Sequence, residues 1–437
     1  MLIDKQSITL IKHSGILRES LSGRDSNKRR VVVTGVGLIT PLGLDTGKTW
    51  NGICEGRSGI KPITKFDASS LKTRIAGEVA DFNAANYMDP KEARRSDPFI
   101  HYAVAATRLA LDDAGLEIDE ELSPRAGTFV SSTVGGLDTL WRSMSELYEK
   151  GPGRVSPFSV SSTITNMAAG YVSIFFNAKG PSMCITTACA ASSHSIGQAM
   201  RTIERGDADV IIAGGTEASV HPAMLIGFGS MHALSTKNDD PVHASRPFDM
   251  DRDGFVIAEG AGILILEELE FARRRGARIY AEALGYGMTS DAYHIASPCT
   301  DGPARCMRAA LQDAGINPDE VDYINAHGTS TVQNDVNETR AVKEVFRNGA
   351  YLIPMSSTKS MTGHFLGATG GIEAAFTVLS LHHGVLPPTI NYENADPDCD
   401  LDYIPNEARD VPIKIALSNS FAFGGANSSL VLGRFNG

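Results

Sequence analysis

Short apolar runs rich in valine and isoleucine recur along the chain, each bounded by glycine, proline or small polar residues. They are RRVVVTGVGLITPLG (29–43), AGTFVSS (126–132), ADVIIAGG (208–215), GAGILILEEL (260–269), VDYINAH (321–327) and IKIALSNS (413–420). Runs of this length and content predict buried strands flanked by tight turns. Several are separated by stretches whose apolar residues repeat at helical spacing, so strands alternate with helices and the fold class is layered α/β. One helical segment occurs twice. RLALDDAGL (108–116) laid over RAALQDAGI (308–316) gives six identities in nine positions at an offset of 200 residues. Each copy leads to an apolar strand, which predicts two duplicated halves rather than a solenoid, whose periods are far shorter. The basic stretch FARRRGAR (271–278) is the expected boundary, dividing the chain into an N-terminal extension (1–29), a first half (30–275) and a second half (276–437). No low-complexity linker separates the halves, so they are expected to pack as one rigid unit.

Composition narrows the class. The 437 residues are 42 % hydrophobic and 21 % charged, as in folded globular proteins. The longest apolar stretches, YVSIFF (171–176) and GILILEEL (262–269), fall well short of the ~20 residues that span a bilayer. Forty basic residues face 51 acidic ones, a net charge of −11 that argues against nucleic-acid and membrane-surface partners. An acidic partner would need a local basic patch. Six cysteines (54, 184, 189, 299, 306 and 399) contain no CxxC pair, so neither a disulfide framework nor a zinc site is expected, and a reducing, cytoplasmic setting follows. Residues 1–29 are polar and mix Lys5, Lys12 and Arg18 with Asp4, Glu19 and Asp25, which suits neither a secretory signal nor a transit peptide.

Candidate chemistry begins at PSMCITTACAASSHSIGQAM (181–200). Cys184 reads as a buried filler, whereas Cys189 opens a small-residue run that becomes helical. A cysteine at a strand-to-helix junction meets the helix N-terminal field and free N–H groups, which favour the thiolate. This segment alone leaves open whether Cys189 is a nucleophile or a small core residue. Two histidines lie in similar surroundings: His327 in NAHGTSTVQND (325–335), at a strand end, and His364 in SSTKSMTGHFLGATGG (356–371), preceded by Lys359. Neither belongs to an HExxH helix or a close His/Cys cluster, so no metal is expected.

With these residues quoted, the chain resembles the β-ketoacyl-acyl-carrier-protein synthases, most closely the elongating type. TACAASSH, AHGTSTVQND, SSTKSMTGH and NSFAFGGAN (419–427) match that family's signatures in order. VVVTGVGLITPLG and RPFDMDRDGFVIAEGAG (246–262) extend the resemblance over roughly residues 30–435. It implies a thiolase-like five-layered α/β/α/β/α fold, a homodimer, and a decarboxylating Claisen condensation of acyl and malonyl thioesters carried on acyl carrier protein, without a cofactor beyond the carrier's phosphopantetheine. Cys189 would take the acyl group, and His327 and His364 would stabilise the enolate. The amides of Cys189 and Phe423 would form the oxyanion hole, with the Phe423 side chain as a gate. Lys359 would sit near His364 and Glu373, in a polar network with Asp335 and Glu338. Thr329 and Thr331 would hold the pantetheine arm, and Val134 would line the far end of the acyl pocket. Lys91, Arg94 and Arg95 in PKEARRSD (90–97), on one face of a helix opened by Pro90, would dock the carrier protein. Departures from the pattern are Val332-Gln333, Ala422 and Ala296, the last at a position that often carries threonine beside the arm.

Four rival readings share the fold. A non-catalytic chain-length partner subunit would lack the nucleophile. A thiolase would need a second, C-terminal cysteine, and an initiating synthase would carry asparagine at position 364. A polyketide-type ketosynthase would keep the same site, and remains the alternative to fatty-acid elongation.

Overall fold

The computed structural model describes residues 28–437. The expected N-terminal extension therefore falls almost wholly outside the described residues. Ten strands form the main sheet: β1 (Val31–Ile39), β2 (Ala126–Ser131), β3 (Ser182–Met183), β4 (Val210–Glu217), β5 (Gly260–Glu268), β6 (Ala281–Ser290), β7 (Tyr323–Asn325), β8 (Met355–Ser356), β9 (Ile415–Phe421) and β10 (Ala426–Arg434). The first five run in the order β1-β5-β4-β2-β3 and the last five in the order β6-β10-β9-β7-β8. Both quintets have two antiparallel pairings followed by two parallel ones. The duplication is thus complete at the level of topology, and short antiparallel pairing of Val31–Val33 with Ala281–Ala283 joins the halves.

Helices repeat in the same way. α1 (Pro98–Ala114), α2 (Met167–Phe175) and α3 (Ala191–Glu204) in the first half correspond to α4 (Asp301–Ala314), α5 (Val332–Phe346) and α6 (Thr369–His383) in the second. α3 and α6 lie between the two strand sets, where Ile196, Met200 and Ile203 meet Ile372, Phe376 and Leu379 in the central core. α1 and α2 cover the outer face of the first half, and α4 and α5 that of the second. Helix, sheet, helix pair, sheet and helix make the five layers.

The repeated segment has a physical cause. Each outer helix packs on strand glycines: a Cβ at Gly35 or Gly37 would lie 2.2 or 1.9 Å from the Ala110 or Ala106 carbonyl, and one at Gly285 or Gly287 would lie 2.6 or 2.2 Å from that of Ala310 or Cys306. Alanine and glycine are therefore forced on both partners. A β-bulge interrupts β1 between Val33 and Gly35, and a matching one interrupts β6 between Ala283 and Gly285, opposite Val431 and Leu432. Bulges free an N–H from the ladder. The Val36 amide donates to Asp113 and the Tyr286 amide to Asp313, each at 2.9 Å, so the repeated aspartate closes the bulge in both halves. Both helices end on a left-handed glycine, Gly115 and Gly315, as C-terminal caps commonly do. Among the described residues, no helix is long and apolar enough to cross a membrane.

Candidate active site

Because the halves are duplicated, the turns that follow equivalent strands converge at the ends of the central helices. Cys189 is the middle residue of a 3-10 turn (Ala188–Ala190) that runs into α3. His364 precedes the corresponding turn (Leu366–Ala368) ahead of α6, and His327 follows β7. All three are buried at the base of a cavity of ≈ 370 Å³. His364 Nε2 lies 3.2 Å from Cys189 Sγ, and its Nδ1 is 2.9 Å from the Thr369 hydroxyl. If that hydroxyl donates, Nε2 carries the ring proton and faces the sulfur. The His327 ring stands 5.5 Å from that of His364, at 84° to it. His327 Nδ1 is buried and has no hydrogen-bond partner among the described residues.

Behind the histidines lies the expected polar network, arranged somewhat differently. The Lys359 ammonium donates to the His327 carbonyl and, at 2.7 Å, to Glu373; it touches His327 rather than His364. Glu338 accepts the amides of His327 and Gly328 at 2.8 and 2.7 Å, fixing the strand end that carries the imidazole. Asp335 sits further off, where it accepts the Phe248 amide and lies 3.5 Å from Arg252. Burial raises the carboxyls of Glu338 and Glu373 to about 7 against the pull of Lys359 and, for Glu338, of two backbone amides. Both histidines are held well below their ordinary value, first by burial and then by the ammonium, so they are neutral N–H donors at physiological pH.

The thiol departs from expectation. Burial raises Cys189 to about 11, against the lowering effects of Lys359 and of the Phe423 and Cys189 amides, which both face the sulfur. Those two amides are the pair expected to hold an oxyanion. Cys184, expected as a buried filler, is partly exposed, with its sulfur 3.9 Å from the Thr186 hydroxyl.

Other expected residues separate into those at the cavity and those away from it. Thr329 and Thr331 line it with their hydroxyls 2.9 Å apart, and Thr331 also caps α5. Phe423 lines the mouth at 41 % exposure, 6.1 Å from the Phe228 ring, and is not a core aromatic. Gly424 and Gly425 follow with φ of 80° and 73°, values that favour glycine. Ala296 lines the cavity as expected. Val134 packs in the apolar cluster around Cys189 but does not line this cavity. Lys91 and Arg94 are exposed, but their helix is only Pro90–Ala93, and Arg95 turns from their face to stack 4.6 Å over the Phe158 ring. Sequence reading missed Thr369, Phe228, Phe255 and Asn427, which complete the walls or orient the histidine. Among them only Thr369 carried a signal, five residues after His364 in a small-residue turn. Among the described residues, no group of three or more His, Cys, Asp or Glu side chains could hold a metal ion.

The family model "Beta-ketoacyl synthase, N-terminal domain" matches residues 28–272, and "Beta-ketoacyl synthase, C-terminal domain" matches residues 280–393. The chain belongs to the β-ketoacyl synthase family. It is therefore a condensing enzyme of acyl-transferring type. Relatives of this β-ketoacyl synthase include the 3-oxoacyl-[acyl-carrier-protein] synthase 2 of Synechocystis, 53 % identical over 93 % of this chain and 99 % of that one. The protein of the same name from Coxiella burnetii is 50 % identical over 93 % and 99 %. Among solved structures, the ishigamide ketosynthase/chain length factor superposes with a TM-score of 0.89 at 38 % identity, covering 94 % of this chain and all of that one. A type II polyketide acyl-carrier protein in complex with its hexaketide-bound ketosynthase gives 0.87 at 37 % identity over 94 % and 100 %. The thiolase-like fold expected from the motifs is the fold of this β-ketoacyl synthase.

Proposed function

We propose that this enzyme lengthens acyl chains in fatty-acid synthesis, condensing an acyl group with malonyl-acyl-carrier protein to give a 3-oxoacyl thioester two carbons longer. The observation that carries this reading is the 3.2 Å approach of His364 Nε2 to Cys189 Sγ, with a second neutral imidazole 5.5 Å away at the base of one cavity. In the first half-reaction the Cys189 sulfur attacks the acyl thioester and the pantetheine sulfur leaves, taking up the proton that the thiol gives up. One thioester replaces another, so the step costs little, and a covalent intermediate divides the reaction. In the second, the carbon–carbon bond to the malonyl carboxylate breaks, carbon dioxide leaves, and the electron pair passes into an enolate. His327 and His364 donate N–H groups to its oxygen. Donors fixed in advance contribute roughly 2.7–4 kcal/mol each. The enolate carbon then attacks the Cys189 thioester, whose oxygen is held by the Cys189 and Phe423 amides. The carbon–sulfur bond breaks, and the thiolate regains a proton from solvent. The sequence balances without a metal or redox cofactor.

The carrier protein is the natural partner, as it is for the polyketide ketosynthase of the solved complex. Lys91 and Arg94 offer it an exposed basic dock on a protein of net charge −11. A homodimer is supported by Leu140, Trp141, Met144 and Tyr148, exposed on the Leu137–Lys150 helix, and by exposed Met183 on edge strand β3. Six cysteines without a disulfide support a reducing, cytoplasmic setting. A polyketide-type ketosynthase is the second reading, motivated by structural neighbours at 37–38 % identity. Relatives at 50–53 % over nearly the full chain favour fatty-acid elongation.

Trapping the acyl-enzyme tests the first half-reaction. Incubation with acyl-acyl-carrier protein alone should add one acyl mass to the peptide containing Cys189, and acylation of any other residue would overturn the assignment.

A further inference from the structure

The duplicated turns reveal a group outside the machinery described so far. Cys189 is the second residue of the turn before α3, and Gly367 is the second residue of the equivalent turn before α6. Each turn opens on a non-glycine residue in the left-handed region, Ala188 at φ 47° and Leu366 at φ 48°. Such backbone is costly and persists only where its surroundings hold it. Both turns are held from one point. Glu217, at the end of β4 and fully buried, accepts the Gly367 amide at 3.0 Å. It also accepts the Thr133 amide at 2.9 Å, the Val134 amide at 3.1 Å and the Ser132 hydroxyl at 2.8 Å. Thr133 in turn donates its hydroxyl to the Ala188 carbonyl at 2.9 Å. Chains of contact therefore run from one carboxylate to the residue before the nucleophile and to the turn that follows His364. A Cβ at Gly367 would lie 2.5 Å from Thr133 Oγ1 and 2.6 Å from Glu217 Oε2, so only glycine admits the carboxylate.

We propose that Glu217 is a positioning residue that holds Cys189 and His364 at reaction distance across the two halves of the fold. This rests on the condensing reaction proposed above. Glu217 Oε1 accepts Ser132 and Val134, and Oε2 accepts Thr133 and Gly367. Three of these donors are backbone amides that cannot reverse, and the Ser132 oxygen already accepts the Gly135 amide at 2.9 Å, which leaves its proton to Glu217. Burial raises the Glu217 carboxyl, yet a proton on either oxygen would face N–H donors, so the ionised form is the one this geometry accommodates. Its charge also bears on the nucleophile. Of the groups facing Cys189, Lys359 and two amides favour the thiolate, His364 is neutral, and Glu217 opposes it.

The test compares wild type, Glu217→Gln and Ser132→Ala in two assays: malonyl-acyl-carrier-protein decarboxylation at saturating substrate, and the pH midpoint of Cys189 alkylation by iodoacetamide. Glutamine preserves size but turns an NH₂ toward at least one amide donor in either orientation, Val134 on one side or Thr133 and Gly367 on the other. Loss of hydrogen bonds to a charged group predicts a kcat at least about tenfold lower. The alkylation midpoint should fall, because a charge opposing the thiolate is gone. Ser132→Ala removes one donor and no charge, so its kcat should drop less and its midpoint should stay. If Glu217→Gln does not fold, Thr133→Val, which removes only the hydroxyl link to Ala188, must still slow acylation of Cys189 by acyl-acyl-carrier protein. Wild-type kcat and midpoint in Glu217→Gln, or a wild-type acylation rate in Thr133→Val, would overturn the proposal. A wild-type enzyme that fails to decarboxylate at all would instead sink the condensing reaction on which it rests.

Discussion

Replacing Lys359 by methionine is the most informative perturbation of the buried network. The ammonium is 1 % exposed and lies between the His327 carbonyl and Glu373, whose second oxygen has no partner among the described residues. Methionine keeps most of the stem and removes the charge. Removing one partner of a buried ion pair costs about 3–5 kcal/mol, because the other is left uncompensated, whereas replacing both by neutral groups is often nearly neutral. Lys359→Met should therefore lose about 3–5 kcal/mol in urea unfolding at fixed protein concentration. Lys359→Met/Glu373→Gln should recover part of it, giving a coupling of roughly 0.5–3 kcal/mol. The pH dependence has a definite sign. The Glu373 carboxyl stands at about 7 in the folded protein against an ordinary 4.5, so its contribution is full below about 4.5 and is lost as pH rises through about 7. Lys359 opposes that rise, and without it the carboxyl moves higher still. The deficit of Lys359→Met should therefore grow between pH 5 and pH 8. Activity should respond as well: Lys359 depresses both histidines, so its loss moves the acid limb of decarboxylation to higher pH. A stability loss under about 1 kcal/mol that is equal at pH 5 and pH 8, with no recovery in the double variant, would refute this reasoning.

Other predictions address single elements. His364→Ala should still be acylated on Cys189 but lose malonyl decarboxylation by about a hundredfold or more, as removal of one oxyanion donor does; intact decarboxylation would contradict its role. Alkylation of Cys189 in the free enzyme should accelerate as pH rises toward about 11; peptide mapping across pH would show a rate already level near neutral pH if the site favoured the thiolate. Lys91→Glu/Arg94→Glu should raise KM for acyl-carrier-protein substrates, leave the thermal midpoint unchanged, and weaken the salt dependence of that KM. Gly37→Val should abolish soluble expression, because its Cβ would stand 1.9 Å from the Ala106 carbonyl.

Much of the fold was legible because its strands are buried on both faces and so appear as unbroken Val and Ile runs. β6 and β10 escaped that reading. β6 is rich in alanine and glycine so that α4 can pack closely, and β10 begins with Ala426, Asn427, Ser428 and Ser429, of which Asn427 donates to Asp291 and Ser429 to Asn419, polar contacts where apolar bulk would mark a strand. Two-residue edge strands β3 and β8 carry no periodicity at all. The repeated Asp-Ala-Gly ending of α1 and α4 was visible, but the causes of its first two residues, a carboxylate closing a bulge and an alanine packed on a strand glycine, are long-range facts. At the site, Cys189, His327, His364 and Lys359 stand in dense small-residue motifs that betray them. Their electrostatics were not legible. A helix N-terminus suggested a low thiol pKa, whereas burial first, and the Glu217 charge with it, both tertiary properties, raise it. Arg95 was misplaced for a similar reason: helical spacing put it beside Lys91 and Arg94, but the helix stops at Ala93 and Phe158 captures the guanidinium.

The central claim is tested most directly by mass spectrometry of the products formed from a medium-chain acyl-acyl-carrier protein and malonyl-acyl-carrier protein, with native enzyme and with Cys189→Ala. The expected result is a 3-oxoacyl-acyl-carrier protein two carbons longer that the variant does not form. Extension by the variant, or a native enzyme that releases carbon dioxide from malonyl-acyl-carrier protein without extending any chain, would contradict the account.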